Sequence, residues 1–301
     1  MNFVPGRSGF GIYKTSSVDS YFFPKSSSER TRLFFTRLKH LTIKNDLNMK
    51  FWQLAIGLSL FVILLGCGND GSDRTAFSTD TSSKYVLTPV NSSGNYEAVE
   101  LEYFHYKQHE IVYNLNGFRL GVPTNGASES GLYTFPEGQH LRVIANNEPA
   151  RISNKRQFIA NLSEGRNSTV AFPALSTGES IKTENAFSAR RLNVREGTVF
   201  AHSDMGHSML VYNLPDGTYK GKFADRVLLD FYLIEAPISG AYKVYLDINN
   251  EERYVLDRWQ AYTIQGLKNG ENTIKLTLVY NNGDIADIPF NPVERKITIE
   301  R

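Results

Sequence analysis

Tyr242-Lys243-Val244-Tyr245-Leu246-Asp247-Ile248-Asn249-Asn250-Glu251 is the stretch from which the fold reads most directly. Tyr242, Val244, Leu246 and Ile248 alternate with Lys243, Tyr245 and Asp247. A period of two marks a β-strand with one buried face. Asn249-Asn250 then offer the positive φ that a tight hairpin needs, and Arg253-Tyr254-Val255-Leu256 reads as the return strand. Downstream, Ile274, Leu276, Leu278 and Tyr280 alternate with Thr273, Lys275, Thr277 and Val279, up to the turn Asn281-Asn282-Gly283-Asp284. Val293, Ile297 and Ile299 face inward on the last strand, with Thr298 and Glu300 outward. Val227 to Ile234 is apolar enough to be a central strand.

The same grammar occurs once earlier. His140-Leu141-Arg142-Val143-Ile144-Ala145-Asn146-Asn147-Glu148 resembles Tyr242 to Glu251, and both end in Asn-Asn-Glu. Gln157-Phe158-Ile159 matches Gln260-Ala261-Tyr262. Leu162-Ser163-Glu164-Gly165-Arg166-Asn167 matches Leu267-Lys268-Asn269-Gly270-Glu271-Asn272. From about residue 97 onward no long helical stripe interrupts this pattern. The expectation is an all-β chain with two tandem immunoglobulin-like antiparallel β-sandwiches, over 97–190 and 205–301. The polar segment 185–208 would join them.

Composition narrows the classes. Apolar residues make up 41% and charged residues 21%, a globular balance that excludes disorder throughout. One Cys excludes a disulfide framework or a multi-Cys zinc site. Residues 1–66 carry a net +6 and residues 67–301 a net −4, so the basic character belongs to the N-terminal segment. No broad nucleic-acid footprint is expected.

The N-terminal segment reads as an address. Lys50 precedes the uncharged apolar run Phe51 to Leu65, and Leu64-Leu65-Gly66-Cys67 places small Gly66 before Cys67. A run of about 15 residues is short for a membrane span, which needs about 20, and suits a signal peptide over 49–66. The motif resembles the bacterial lipoprotein signal and its lipobox. That resemblance implies cleavage between Gly66 and Cys67, lipidation of Cys67 and a membrane partner through the lipid. A short membrane anchor or buried helix is the other reading of the run. Several acyl chains on one residue exceed what stable anchoring requires. Met49 reads as the natural start, which makes 1–48 an upstream extension; an unusually long n-region is the alternative. The Ser/Thr-rich stretch after Cys67 reads as a flexible tether over 67–96.

Further motifs carry a family resemblance. Ser208-Met209-Leu210-Val211-Tyr212, Pro215-Asp216-Gly217-Thr218-Tyr219-Lys220-Gly221, Val227 to Leu233, Trp259 to Leu267 and Gly270-Glu271-Asn272-Thr273 are similar to the second half of a group of two-domain Bacteroidota lipoproteins. Asn116 to Thr124, Gly138-Gln139-His140 and Glu179-Ser180-Ile181-Lys182 resemble its first half more distantly. Some members carry the label phosphopeptide-binding protein. The chain departs from the group at Ala145, which replaces an Asp, and at Thr177-Gly178, which replaces a His-containing stretch.

Candidate chemistry is sparse. His105/His109 and His202/His207 are the His pairs after the apolar run; on a strand, residues four apart lie about 13 Å apart, too far to chelate one ion, whereas loop geometry over Ala201 to His207 could bring the second pair together. Ser203, Asp204, His207 and Ser208 are hydrolase residue types without a nucleophile elbow. Asp247, Asn249, Glu251 and Glu252 are calcium-ligand types in the wrong spacing for an EF-hand loop. Arg151, Lys155 and Arg156, with Arg190/Arg191 beside them as a second cluster, are candidates for an anion or phosphate site. Trp259, Tyr262, Tyr254 and Tyr245 are candidates for an aromatic face that binds glycan; cross-strand core pairs are the plainer account of them.

No catalytic residue, metal ligand or cofactor is read from these motifs. The reading adopted is a non-enzymatic, lipid-anchored protein of the bacterial cell envelope. It would present a binding surface to an envelope protein, glycan or peptide. An envelope enzyme with an unrecognised site, or a structural spacer, is the alternative. Gly68 occupies the position where Asp retains enterobacterial lipoproteins in the inner membrane, so the resemblance implies the outer membrane.

Overall fold

The hairpins anticipated from the two Asn-Asn-Glu motifs are the organising elements of the fold. The structure is a computed structural model, and it describes residues 74–75, 83–91, 94–238 and 240–301. The upstream extension, the apolar run, Gly66 and Cys67 lie outside the described residues. Among the described residues no helix is long and apolar enough to cross a membrane.

In chain order, β1 (Arg74–Thr75) and β2 (Val86–Pro89) come first. They are followed by β3 (Glu100–Lys107), β4 (Glu110–Asn116), β5 (His140–Ala145), β6 (Arg151–Ser153), β7 (Gln157–Ile159), β8 (Gly165–Ala174), β9 (Ser188–Arg195) and β10 (Thr198–Asp204). The remaining strands are β11 (Met209–Leu214), β12 (Thr218–Lys220), β13 (Val227–Ile234), β14 (Tyr242–Ile248), β15 (Glu252–Leu256), β16 (Tyr262–Gln265), β17 (Gly270–Tyr280) and β18 (Val293–Glu300). A 3-10 helix, Gly221–Ala224, lies between β12 and β13.

These strands form four sheets, ordered β3-β4-β7, β10-β9-β8-β5-β6, β11-β13-β16-β2 and β1-β15-β14-β17-β18-β12. The first two make one sandwich around Leu101, Ile111, Leu115, Leu141, Val143 and Leu192. The last two make another around Leu229, Phe231, Leu246, Ile274, Leu276 and Ile297. The pairing of β13 with β11 and β16 on one sheet, and of β14 with β15 and β17 on the other, is the immunoglobulin-like arrangement.

The sandwiches are fused through a third core. Ile144, Val170 and Phe172 of the first meet Met209, Val211, Tyr232 and Ile234 of the second. The Phe172 and Tyr232 rings stack at 4.9 Å and 10°. Burial on both faces explains why β13 reads as an apolar run interrupted only by Asp230: Leu229, Phe231 and Leu233 fill one core while Tyr232 and Ile234 fill the other.

The two repeats share a polar corner. Asn249 and Asn250 have φ of 55° and 54°, and Asn146 and Asn147 of 53° and 58°. Each turn closes through a backbone bond, Glu251 N–H to the Ile248 carbonyl (2.9 Å) and Glu148 N–H to the Ala145 carbonyl (3.0 Å). Asn249 Oδ1 accepts from Thr273 N–H at 2.8 Å, and Asn146 Oδ1 from Ser168 N–H at 2.9 Å. Asn249 Nδ2 donates to Asn272 Oδ1 at 3.0 Å, as Asn146 Nδ2 does to Asn167 Oδ1 at 3.1 Å. Asn272 Nδ2 closes the loop onto the Lys268 and Gly270 carbonyls, and Asn167 Nδ2 onto those of Ser163 and Gly165. Gly270 at φ 88° and Gly165 at φ 85° let the chain enter the strand there. This is the physical content of the Leu-x-x-Gly-x-Asn repeat. Asn272→Ala, which removes the buried amide that ties the strand entry to the hairpin and leaves Asn249 Nδ2 without that acceptor, is expected to cost about 2 kcal/mol in urea unfolding, and Asn167→Ala about the same.

Two sequence boundaries need correction. The segment 185–208 is not a joining linker: β9 and β10 are strands of the first sandwich, which therefore runs past residue 190 to Asp204. Its polar residues misled because β10 is an exposed edge. The tether over 67–96 is also too long, since β2 pairs antiparallel with β16 and is the edge of the second sandwich. Tyr85 is 1% exposed and lies in the second core with Leu87. Glu251 and Glu252 fasten this segment: Tyr85 Oη donates to Glu251 Oε2 (2.6 Å), and Lys84 N–H to Glu252 Oε1 (2.7 Å). A Cβ at Gly266, whose φ is 89°, would collide with the Lys84 carbonyl, so this close approach requires glycine.

Candidate functional site

The crossover from β2 in the second sandwich to β3 in the first passes over the seam between them, and a cleft opens beside it. Its volume is about 680 Å³, within the range of small-ligand sites. Tyr96 and Glu97 of the crossover, Glu179 and Lys182 of the first sandwich, and Trp259 and Gln260 of the second border it. Trp259 is held on two sides. Its indole N–H donates to the Phe231 carbonyl at 3.2 Å, and its ring meets Tyr232 edge-on at 4.9 Å. Lys182 ion-pairs with Asp230, whose second oxygen accepts from Asn213 Nδ2 at 2.6 Å. The Tyr96 phenol is raised above its ordinary pKa, first by burial and then by the charge of Glu179.

Of the aromatic residues singled out in the sequence, only Trp259 borders this cleft. Tyr262 is wholly buried and donates to the Arg258 carbonyl at 3.0 Å. Tyr254 is buried and its hydroxyl reaches the Tyr85 carbonyl at 2.7 Å. Both therefore belong to the second core rather than to a binding face. Tyr245 lies under the Arg253 guanidinium on the other sheet.

The basic cluster does not converge on the cleft. Arg151 borders a separate recess of about 380 Å³ with Ala145, Glu148 and Ser163. Lys155 and Arg156 are exposed in the turn after β6 and do not line that recess. Arg190 is paired with Asp204.

The remaining candidates have structural work. Asp247 is held by Arg253 at 2.7 Å and Lys275 at 3.3 Å, and Glu251 and Glu252 clamp the Ser83–Tyr85 segment. The calcium-type carboxylates are thus spent on cation and hydroxyl partners. His202 packs its ring against Tyr103 at 5.5 Å, and His109 against Tyr106 at 6.5 Å. Among the described residues no three His, Cys, Asp or Glu side chains are grouped as a metal site would need.

A buried basic pair in the seam escaped the sequence reading. Arg142 is 1% exposed and His140 fully buried, because the second sandwich covers the face of β5 that alternation assigns to solvent. His140 Nδ1–H donates to the Gly138 carbonyl at 2.7 Å, which leaves Nε2 to accept from Arg142 Nη1 at 3.4 Å. Arg142 also lies 5.1 Å over the Phe135 ring. Burial depresses the His140 pKa to about 4, and the neighbouring Arg142 charge pushes the same way. The unfolded chain takes up this proton near pH 6.5 while the folded protein resists it until about pH 4. Stability present above pH 6.5 is therefore expected to fall by about 3 kcal/mol between pH 6.5 and 4. His140→Gln should flatten that segment of an unfolding-versus-pH profile.

Together the four stacked sheets and the seam cleft define a two-sandwich, immunoglobulin-like all-β protein. No family model matches the chain, and no curated protein matches it. Among solved structures it is similar to the fibronectin(III)-like modules of Clostridium thermocellum CbhA, at 10% identity and a TM-score of 0.25. That similarity covers 71% of this chain and 94% of the module chain.

Proposed function

We propose that this protein is a lipid-anchored, non-enzymatic binding module of the bacterial cell envelope, and that its ligand occupies the seam cleft. The observation that carries the binding reading is the cleft itself. It has the volume of a ligand site and an oriented indole on its wall, and it lies between two bodies that a shared apolar core holds in register. Sites of this kind gain from preorganisation, because little ordering remains to be done on binding. The anchoring reading rests on Cys67 following Leu64-Leu65-Gly66, and its resemblance to enterobacterial sorting favours the outer membrane.

Two measurements test the proposal. The mass of the N-terminal peptide from native membranes should show acylated Cys67 as its first residue, and Cys67→Ser should release the protein from the membrane fraction. Retention of Met1 or Met49 with an unmodified Cys67 sinks the anchor. For binding, a photo-crosslinking residue at Asn95 beside the cleft should capture a ligand in native envelopes. The same residue at Asp284, in a turn that does not line the cleft, should not. Equal capture at both positions, or none at Asn95, sinks the cleft as the binding site.

A further inference from the structure

The two sandwiches repeat one another over most of their strands. β3, β4 and β7 of the first correspond to β11, β13 and β16 of the second, and β5, β6 and β8 to β14, β15 and β17. In the second sandwich β2 completes the sheet beside β16. In the first, the edge of β7 has no strand beside it among the described residues. Arg156 and Ala160 spend a carbonyl and an N–H on Tyr113 and His109, at 2.9 Å each, so alternation turns the backbone groups of Gln157 and Ile159 outward. Such an edge is a template for an added strand.

The recess beside Arg151 lies where the residue leading into that strand would sit. In the second sandwich this residue is Tyr85. Its hydroxyl accepts from Asn249 Nδ2 at 2.8 Å and donates to Glu251 at 2.6 Å, and its carbonyl accepts from the Tyr254 hydroxyl at 2.7 Å. The hairpin repeat puts Asn146, Glu148 and Arg151 at the three matching positions, and all three border the recess. Asn146 Nδ2 gives one hydrogen to Asn167 and keeps a second. The Glu148 carboxylate and the Arg151 guanidinium have no hydrogen bond or ion pair among the described residues. Val143, Ala145 and Ala160 stand where the second core has Leu246, Ile248 and Ile264, and their smaller side chains leave the space of about 380 Å³.

We infer that the first sandwich takes an extended peptide of another protein as an added strand on β7, with a tyrosine of that peptide in the recess. The tyrosine hydroxyl lies between Asn146 and Glu148, its carbonyl faces Arg151, and its ring fills the space over Val143 and Ala145. Glu148 also favours a Lys or Arg just before the tyrosine, as Glu251 holds Lys84 at 2.6 Å. This site shares no lining residue with the seam cleft and does not depend on it.

β2 itself supplies the probe. A fluorescein-labelled peptide, Ser83-Lys84-Tyr85-Val86-Leu87-Thr88-Pro89-Val90, is titrated against the full-length protein in detergent. Saturable binding by anisotropy is expected, with new protection from hydrogen exchange at Gln157 to Ile159. Tyr85→Phe in the peptide should weaken binding about tenfold. Glu148→Gln in the protein, at an exposed position, should do the same and leave the unfolding midpoint unchanged. Ala145→Leu, which fills the recess from its wall, should abolish binding. Three results overturn the inference. The first is no saturable binding. The second is protection around Tyr96 and Trp259 in place of β7, which puts the peptide in the seam cleft. The third is binding indifferent to both Glu148→Gln and Ala145→Leu, the peptide then having displaced β2 from the second sandwich.

Discussion

Lys182→Ala is expected to lower the unfolding free energy by about 3–5 kcal/mol, the range for removing one partner of a buried ion pair. Asp230 is wholly buried on β13, in the seam between the sandwiches, and its charge is met by Lys182 from the first sandwich and by Asn213 from the second. Deleting the ammonium leaves a buried carboxylate with only the Asn213 amide and the charge of buried Arg142 near it, and Asn213 Nδ2 is already shared with the Gly178 carbonyl. The sandwiches would then separate or admit water at the seam. A double variant, Lys182→Met with Asp230→Leu, removes both charges and should cost much less than the single change, because apolar replacements of a buried pair are often neutral. Chemical denaturation of the three proteins checks this. A loss under about 1 kcal/mol in Lys182→Ala would mean that water reaches Asp230.

Tyr85→Ala is expected to cost about 3–5 kcal/mol, as for a large aromatic lost from a core. Tyr85 packs with Leu87 and Ile264 in the second core, and its hydroxyl is tied to Glu251 and Asn249. Tyr85→Phe keeps the ring and should cost only about 1 kcal/mol, which separates packing from hydrogen bonding. A chain begun at residue 97 loses β2 altogether. It should expose the backbone edge of β16 and lose protection from hydrogen exchange first in the second sandwich, although every deleted residue precedes the first. Loss of protection confined to the first sandwich would contradict the strand assignment.

The reach of the sequence is clearest at the hairpins. Local chemistry determined them: alternation sets the strand faces, paired asparagines tolerate positive φ at the turns, and the Leu-x-x-Gly-x-Asn repeat carries its own hydrogen-bond partners within a few residues. Each of these signals acts over a short span, so each is visible in one dimension. The all-β class and the two-sandwich division followed from them.

What lay between distant segments was not visible. The same alternation that correctly placed Leu141 and Val143 inside left Arg142 facing outward, and only the packing of a second sheet onto that face buried it. Tyr254 and Tyr262 are aromatics on strands whether they face a ligand or a core, and burial against β2 and β13 decided for the core. β2 itself is four residues long and pairs with a strand more than 170 residues later, too short a pattern to stand out from the polar stretch around it. By itself the sequence determined the strand grammar and the repeat, because those depend on neighbouring residues. Only the tertiary structure decided which faces were covered twice, which carboxylates were used as clamps and that Trp259 borders the same cleft as Tyr96, because those depend on surfaces that the fold brings together from distant parts of the chain.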